Sequence, residues 1–332
     1  KKRRKSIFLV WYDPWVNLPI VPTSLSTSSG FDVVGFGLNT IDLLAVVDEY
    51  PSPDSKNILQ DFVELPGGQT ATAMVTCARL GWRARYIGYF GNDERGALSR
   101  ESLTSDGVDV SACHHVRAPQ GLSLVLVDGE GRRTILWRRS AQLDMSPEDV
   151  QESVVTAGRV LLVDCHQIAA ATQAASFARK SGVPTVVDVE EMRPGIEHLL
   201  EQIDVIITAE TFPESFSGVS GIGSALAVLV REFRPVVACA TLGRRGSLAL
   251  VGGTEIFTPG FDVPVVDSTG AGDAFRGGFI AGWLKAGPSP RVEDVLRYAN
   301  AVAALQTRAL GARTAIPSLQ EVDVLLRSER GL

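Results

Sequence analysis

Residues 160–241 alternate short apolar runs with amphipathic stretches, and this rhythm constrains the fold more than any other feature of the chain. Val160–Asp164, Pro184–Asp188, Asp204–Thr208 and Pro235–Thr241 read as strands. Helical patterns over Ala169–Ser181, near Gly195–Gln202 and over Gly223–Phe233 separate them. Strands joined by helices must run parallel, with the helices packed on the sheet's faces. The expected fold class is therefore α/β: a doubly wound, mostly parallel sheet with helices on both faces. A chain of 332 residues suits one such large domain, with room for a small appendage.

The appendage is legible as well. Leu43–Glu49 and Ile58–Leu65 are strand-like with no helix between them, and Gly121–Val127 with Arg133–Arg138 forms a hairpin. Segments 43–66 and 119–139 are therefore expected to build a small antiparallel β lid. The core runs over 31–320, and 321–332 reads as a C-terminal tail. Residues 1–30, with basic Lys1–Lys5 and a Ser/Thr/Gly stretch over 24–30, read as a poorly ordered extension. No later apolar run is long enough for a membrane span. A formal net charge of −6 argues against a general nucleic-acid binder. The four cysteines form no C-x-x-C pair, so buried free thiols and a cytoplasmic setting are expected.

Gly270-Ala271-Gly272-Asp273 follows a strand-like Val263–Val266 and opens a helix. Small residues at a helix N-terminus leave N–H groups bare at the positive end of the dipole, which suits an anion. A carboxylate there would repel phosphate, so binding alone does not explain it. It fits a general base that takes a proton from a hydroxyl attacking a phosphoryl group. An ordinary glycine turn with an N-terminal Asp is the plainer alternative for so short a motif.

The motif has company. Asp267-Ser268-Thr269-Gly270-Ala271-Gly272-Asp273-Ala274-Phe275 resembles the second signature of the ribokinase-like (PfkB) carbohydrate kinases. Leu65-Pro66-Gly67-Gly68-Gln69-Thr70-Ala71-Thr72-Ala73 resembles the first. Gly37–Asp42, Gly91–Asp93 with Gly96, Thr241–Gly243 with Gly246, and Gly311–Arg313 with Pro317 resemble further family motifs in the family's order. The resemblance implies a ribokinase-like fold and an ATP- and magnesium-dependent sugar kinase with Asp273 as base. Gly270, Ala271 and Gly272 would form the anion hole. Asn39, Asp42, Gly67, Gly68 and Thr72 would face the sugar. Thr241, Gly243, Gly246 and Asn300 would line the nucleotide. Asp267 and Thr269 would help hold a monovalent cation such as potassium.

The sequence also departs from the family. Thr72 stands where the first signature usually carries Asn, and the magnesium-linked N-x-x-E motif is not matched near Thr208–Glu214. Either Glu210 or Glu214 takes over through water, or both are solvated acids. Lys56 in the first lid loop resembles the lysine of sulfofructose-kinase-like and phosphosugar branches, which meets an anionic substituent. Arg138 and His166 are further candidates for the substrate. The acceptor is expected to be a ketose, ribose or related sugar. A nucleoside kinase of the same fold and a non-catalytic nucleotide- or sugar-binding protein are the alternatives. Open lid edges make a homodimer through the lid an expectation.

Overall fold

Branched aliphatic residues dominate the central strands, and in the computed structural model they are buried on both faces. That model describes residues 18, 30–130, 132–287 and 290–328. The chain enters as β1 (Phe31–Phe36), leaves for β2 (Thr40–Val46) and β3 (Asp61–Gly67), and returns through α1 (Gln69–Arg79) to β4 (Ala84–Ile87). β5 (Tyr89–Gly91), α2 (Glu94–Ser105) and β6 (His114–Val116) follow, then the hairpin β7 (Leu122–Val127) and β8 (Arg133–Arg138). The expected alternation comes next: α3 (Glu152–Val155), β9 (Gly158–Asp164), α4 (Ile168–Lys180), β10 (Thr185–Val189), α5 (Ile196–Leu200) and β11 (Val205–Thr208). α6 (Phe212–Ser217), α7 (Ile222–Phe233) and β12 (Val237–Thr241) complete it. β13 (Gly246–Val251), β14 (Thr254–Pro259), α8 (Ala271–Ala286), α9 (Val292–Gln306) and α10 (Leu319–Ser328) close the chain.

The main sheet has the order β14-β13-β12-β11-β10-β9-β1-β4. It is parallel from β4 to β12, and β13 and β14 are antiparallel. Its side chains alternate between two cores. Val33, Val160, Leu162, Val186 and Ile207 join one cluster with Phe275, Phe279 and Trp283 of α8. Val34, Leu161, Val163, Val187 and Ile206 join the other with the alanines of α4. This period of two is why the strands read as continuous apolar runs.

From β1 the chain builds outward to β4 on one side, then to β9 and beyond on the other. In such sheets ligands bind beyond the strand C-termini where the winding changes direction. Here that crevice lies beyond β1 and β9. Gly37–Asn39 and Asp164–His166 sit at its rim.

The lid is a second sheet of order β3-β2-β7-β8. Its two hairpins are antiparallel, and a parallel β2–β7 pair joins them. Of the extension expected over residues 1–30, only Leu18 and Gly30 fall among the described residues. Leu18 is 1% exposed within the first core cluster. At the other end α10 crosses the expected tail boundary and buries Val322.

Candidate active site

The loop before α8 is shaped by one buried carboxylate. Oδ1 of Asp267 accepts from the N–H and Oγ1 of Thr269 at 2.9 and 2.7 Å. Its Oδ2 accepts from the N–H of Gly311 at 2.8 Å. The pair picked out for a cation therefore staples two loops together. Gly270 caps α8 in the left-handed region, at φ +75°. A Cβ there would lie 2.5 Å from the Ala312 carbonyl oxygen and 2.7 Å from its Cα. Substituting Gly270→Ala should therefore push the loops apart. It should lower turnover by at least about tenfold and cost ~1–2 kcal/mol in backbone strain. Steady-state rates and thermal melting together check this.

The first N–H groups of a helix have no intrahelical acceptor. The Ala271 N–H reaches the Ser268 carbonyl at 3.2 Å, and that of Ala274 reaches Gly270 at 2.8 Å. Those of Gly272 and Asp273 lie between them, in the first turn. Asp273 is 9% exposed. Burial pushes its carboxyl up to about 7. The negative field of Glu190 and Asp42 adds to the rise, and Arg276 and Arg133 oppose it.

Arg276 is one turn further along α8 and 3% exposed, and its Nη2 stands 2.8 Å from Oδ1 of Asp188 at the end of β10. The sequence reading did not single out this pair. An arginine inside a helix usually marks a solvated face, and only the sheet's register brings Asp188 beneath it.

The residues expected to face the sugar lie mostly on β2 and the turn into α1. Asp42 is 6% exposed and accepts from Thr40 Oγ1 at 3.1 Å. Burial raises its pKa, and Thr40, Ser123 and the Arg313 charge hold it down. Gly68 lies at φ +97°, and a Cβ there would come within 2.5 Å of Asn39 Cα. Only glycine lets the two loops touch.

Thr72, expected among the sugar-facing residues, is tied to Arg313. Its Oγ1 accepts from Nε of Arg313 at 3.2 Å, and Arg313 also donates to the Gly67 carbonyl. Burial lowers the Arg313 pKa to about 10. Asn39 is equally engaged. Its Nδ2 donates to Tyr86 Oη at 2.5 Å and to the Tyr89 carbonyl at 3.0 Å, and its Oδ1 accepts from Gln120 and Ser99. Both residues thus hold the walls of the site. Gln69, by contrast, is 5% exposed, and neither of its amide atoms has a hydrogen-bond partner. Its place directly after Gly67-Gly68 was the available signal.

On the other side of α8, Thr241 Oγ1 donates to the Thr208 carbonyl at 3.2 Å, and the Leu242 N–H donates to Gly246 at 2.8 Å. Asn300 donates to Ser247 Oγ, the Thr258 carbonyl and the Pro259 carbonyl at 3.2, 3.0 and 3.3 Å. It therefore buttresses the β13–β14 hairpin that backs this loop. Glu210 pairs with Arg245, and Glu214 accepts from the Gly221 N–H at 2.6 Å. Among the described residues no three His, Cys, Asp or Glu side chains group as a metal site. A magnesium ion held mainly by phosphates and water needs only one or two carboxylates.

Lys56 lies in the exposed loop between β2 and β3, and Arg138 ends β8 with its side chain exposed. His166 lies beyond β9, its N–H donating to Asp164 Oδ1 at 3.1 Å. Burial lowers its pKa, with Asp164 opposing. The chemistry of the assembled site is that of an anion cradle at one helix end. A buried carboxylate stands in it, close enough to Asp42 to feel its charge.

The profile of the pfkB family carbohydrate kinases matches residues 31–319. A fructokinase of Klebsiella pneumoniae is 31% identical over 296 residues, covering 82% of this chain and 94% of the relative. Among solved structures, a putative ribokinase from Agrobacterium tumefaciens superposes with a TM-score of 0.84 at 24% identity, covering 91% of this chain and 99% of the other. A putative ribokinase II from E. coli, solved in complex with ATP and Mg2+, superposes with a TM-score of 0.78 at 22% identity, covering 90% and 99%.

Proposed function

The chain belongs to the pfkB family of carbohydrate kinases, and from that premise we propose that it transfers the γ-phosphoryl group of ATP to a hydroxyl of a ketose, ribose or related sugar, with Asp273 as general base. The observation that carries this reading is a buried carboxylate in the first turn of α8, directly beside bare N–H groups. ATP with magnesium supplies the phosphoryl group. Its use is supported by the E. coli neighbour solved with that pair. Asp273 takes the proton as the acceptor oxygen bonds to phosphorus and the bond to the leaving diphosphate breaks. The N–H groups of Gly272 and Asp273, with the helix dipole, meet the charge on the transferring group.

Asp42 and Gln69 orient the acceptor, Gly68 brings the backbone close to it, and the lid excludes water from it. Glu210, in the turn after β11 and paired with Arg245, is the carboxylate that would assist magnesium. Pairing of two copies through the lid belongs to the same reading. It is supported by exposed Ile58, Leu59 and Phe62 at the β3 edge.

The base acts only when ionised, so the pKa of about 7 sets the sign of the pH dependence. kcat/KM should rise with pH through neutrality. It should fall about tenfold for each unit well below that value. A profile measured by ADP release between pH 5 and 9 checks it. A flat response from pH 5 upward would remove Asp273 from the role of base. The same assay run on sugars and nucleosides tests the acceptor class, and turnover of nucleosides alone would replace the sugar reading.

A further inference from the structure

Just past the ends of β8, β9 and β10, three side chains each keep a buried nitrogen with no hydrogen-bond partner. These are Nη1 of Arg139, Nε2 of Gln167 and Nε of Arg193. The side chain of Arg139 is 7% exposed and that of Arg193 19%, and Gln167 is 5% exposed. The rest of each polar group is engaged. Arg139 donates from Nε to Asp144 at 2.9 Å and from Nη2 to the Leu143 carbonyl at 2.6 Å. Arg193 donates from Nη2 to Glu191 at 2.6 Å. Oε1 of Gln167 accepts from the N–H of Met145, next to Asp144, at 2.7 Å. Asp144 and Glu191 have side chains 45% and 61% exposed. They meet each guanidinium at its solvent edge, where water screens the pair. The inner N–H groups are left open.

The two guanidinium groups converge on one place. Both charges lower the pKa of His166. The Trp137 ring lies edge-on to His166 at 6.1 Å, and the Arg193 guanidinium stands 5.8 Å from the same ring. A Cβ on Gly121 would lie 3.9 Å from Cγ of Arg139 and 3.4 Å from the Asn39 carbonyl oxygen. The place adjoins the acceptor crevice. Asp164, two residues before His166, accepts from the Leu38 N–H at 2.6 Å and from Thr70 Oγ1 at 2.7 Å, beside the Gly67-Gly68 turn.

All three open atoms are donors, and two belong to cations. A buried donor without an acceptor is costly, and a charged one most of all. The group that completes them is therefore rich in oxygen and negatively charged. Asp164 and Glu190 also act on His166. Neither is a partner of the open nitrogens.

We propose that Arg139, Arg193 and Gln167 form an anion subsite at the end of the acceptor crevice, so that the sugar phosphorylated here carries a carboxylate or a phosphate on a carbon remote from the attacked hydroxyl. This rests on the kinase reading above and narrows its acceptor. The motif search looked for an anion contact at Lys56 and Arg138, which the fold leaves exposed.

The test is ADP release with three matched sets of acceptors: neutral sugars, sugar acids and sugar monophosphates. Wild-type kcat/KM should be at least about 10²-fold higher for one anionic set than for the neutral one. Preference for the acids assigns a carboxylate, and preference for the monophosphates assigns a phosphate. Arg193→Met should lower the anionic-to-neutral ratio of kcat/KM at least about tenfold, mainly through KM of the anionic acceptor. Arg193→Lys, which keeps the charge, should recover part of it. Arg139→Met should lower the ratio in the same way. Arg139 also holds the turn to Asp144, but a ratio measured on one sample is unchanged by loss of folded protein.

A wild-type protein that uses neutral sugars as well as any anionic one overturns the proposal, and so does an unchanged ratio in both methionine variants. Each of these results leaves the kinase reading standing. A wild-type protein that phosphorylates no sugar of any set defeats the kinase reading itself, and is recognised before any variant is made.

Discussion

The Asp273→Asn protein should turn over its acceptor about 10³-fold more slowly than the wild type, within the usual range for loss of a general base. Its affinity for ATP and sugar should hardly change. Asparagine fills the same volume but cannot take a proton. It also removes a negative charge from beside a phosphate site, so nucleotide binding is expected to be equal or tighter. The acid limb of the pH profile should vanish with the carboxyl. Isothermal titration alongside steady-state kinetics separates this outcome from a folding defect. A variant that kept the wild-type rate would show that the proton leaves by another route.

Replacing Arg276 is expected to have the largest effect on stability. Asp188 is 2% exposed, and Arg276 is its salt-bridge partner at 2.8 Å. Breaking a buried pair from one side leaves an uncompensated charge, at a cost of about 3–5 kcal/mol. Arg276→Met should therefore lower the melting temperature by roughly 4–7 °C. The double variant Asp188→Asn with Arg276→Met should recover much of that loss, because a buried pair replaced as a whole is often nearly neutral. Activity should shift as well. Arg276 is one of the charges holding the Asp273 pKa down. Its removal should move the acid limb above its wild-type position near 7. A wild-type melting temperature in the single variant would show that Asp188 is protonated and needs no partner.

These two predictions differ in how they were reached. Asp273 stood out in the sequence through Gly270–Asp273 at the start of a helix, although the strand expected over Val263–Val266 is irregular chain between β14 and α8; the strands from β9 to β12 were legible as well. Their apolar runs sit between helix patterns in strict order, which local physics dictates. The ends of α1, α4 and α8 fall within a few residues of expectation for the same reason. Arg276 with Asp188 was not legible, because the pairing depends on which strand tip lies under α8. The lid shows the same limit. Both hairpins could be read, but the parallel β2–β7 pair that joins them is a long-range choice.

The period of two in β8 was visible, but not which face turns inward. Arg138 therefore drew attention, while it is Arg133 that meets Ser268 and Trp137 that meets His166. Asn39, Thr72 and Asn300 show a further limit. Polar residues at motif positions suggest ligand contacts, yet their hydrogen bonds go to Tyr86, Arg313 and the β13–β14 hairpin. Nothing in the residue type distinguishes a group that binds a ligand from one that builds the wall behind it.

The most direct test of the account is 31P NMR of the purified protein with ATP, magnesium and a panel of neutral and acidic sugars. The wild-type chain should convert the γ-phosphate resonance into a sugar phosphate ester for at least one of them. The Asp273→Asn chain should leave the spectrum unchanged over the same time. An ester formed equally by both proteins, or formed by neither with any sugar, would contradict the assignment of Asp273 as the base of a sugar kinase.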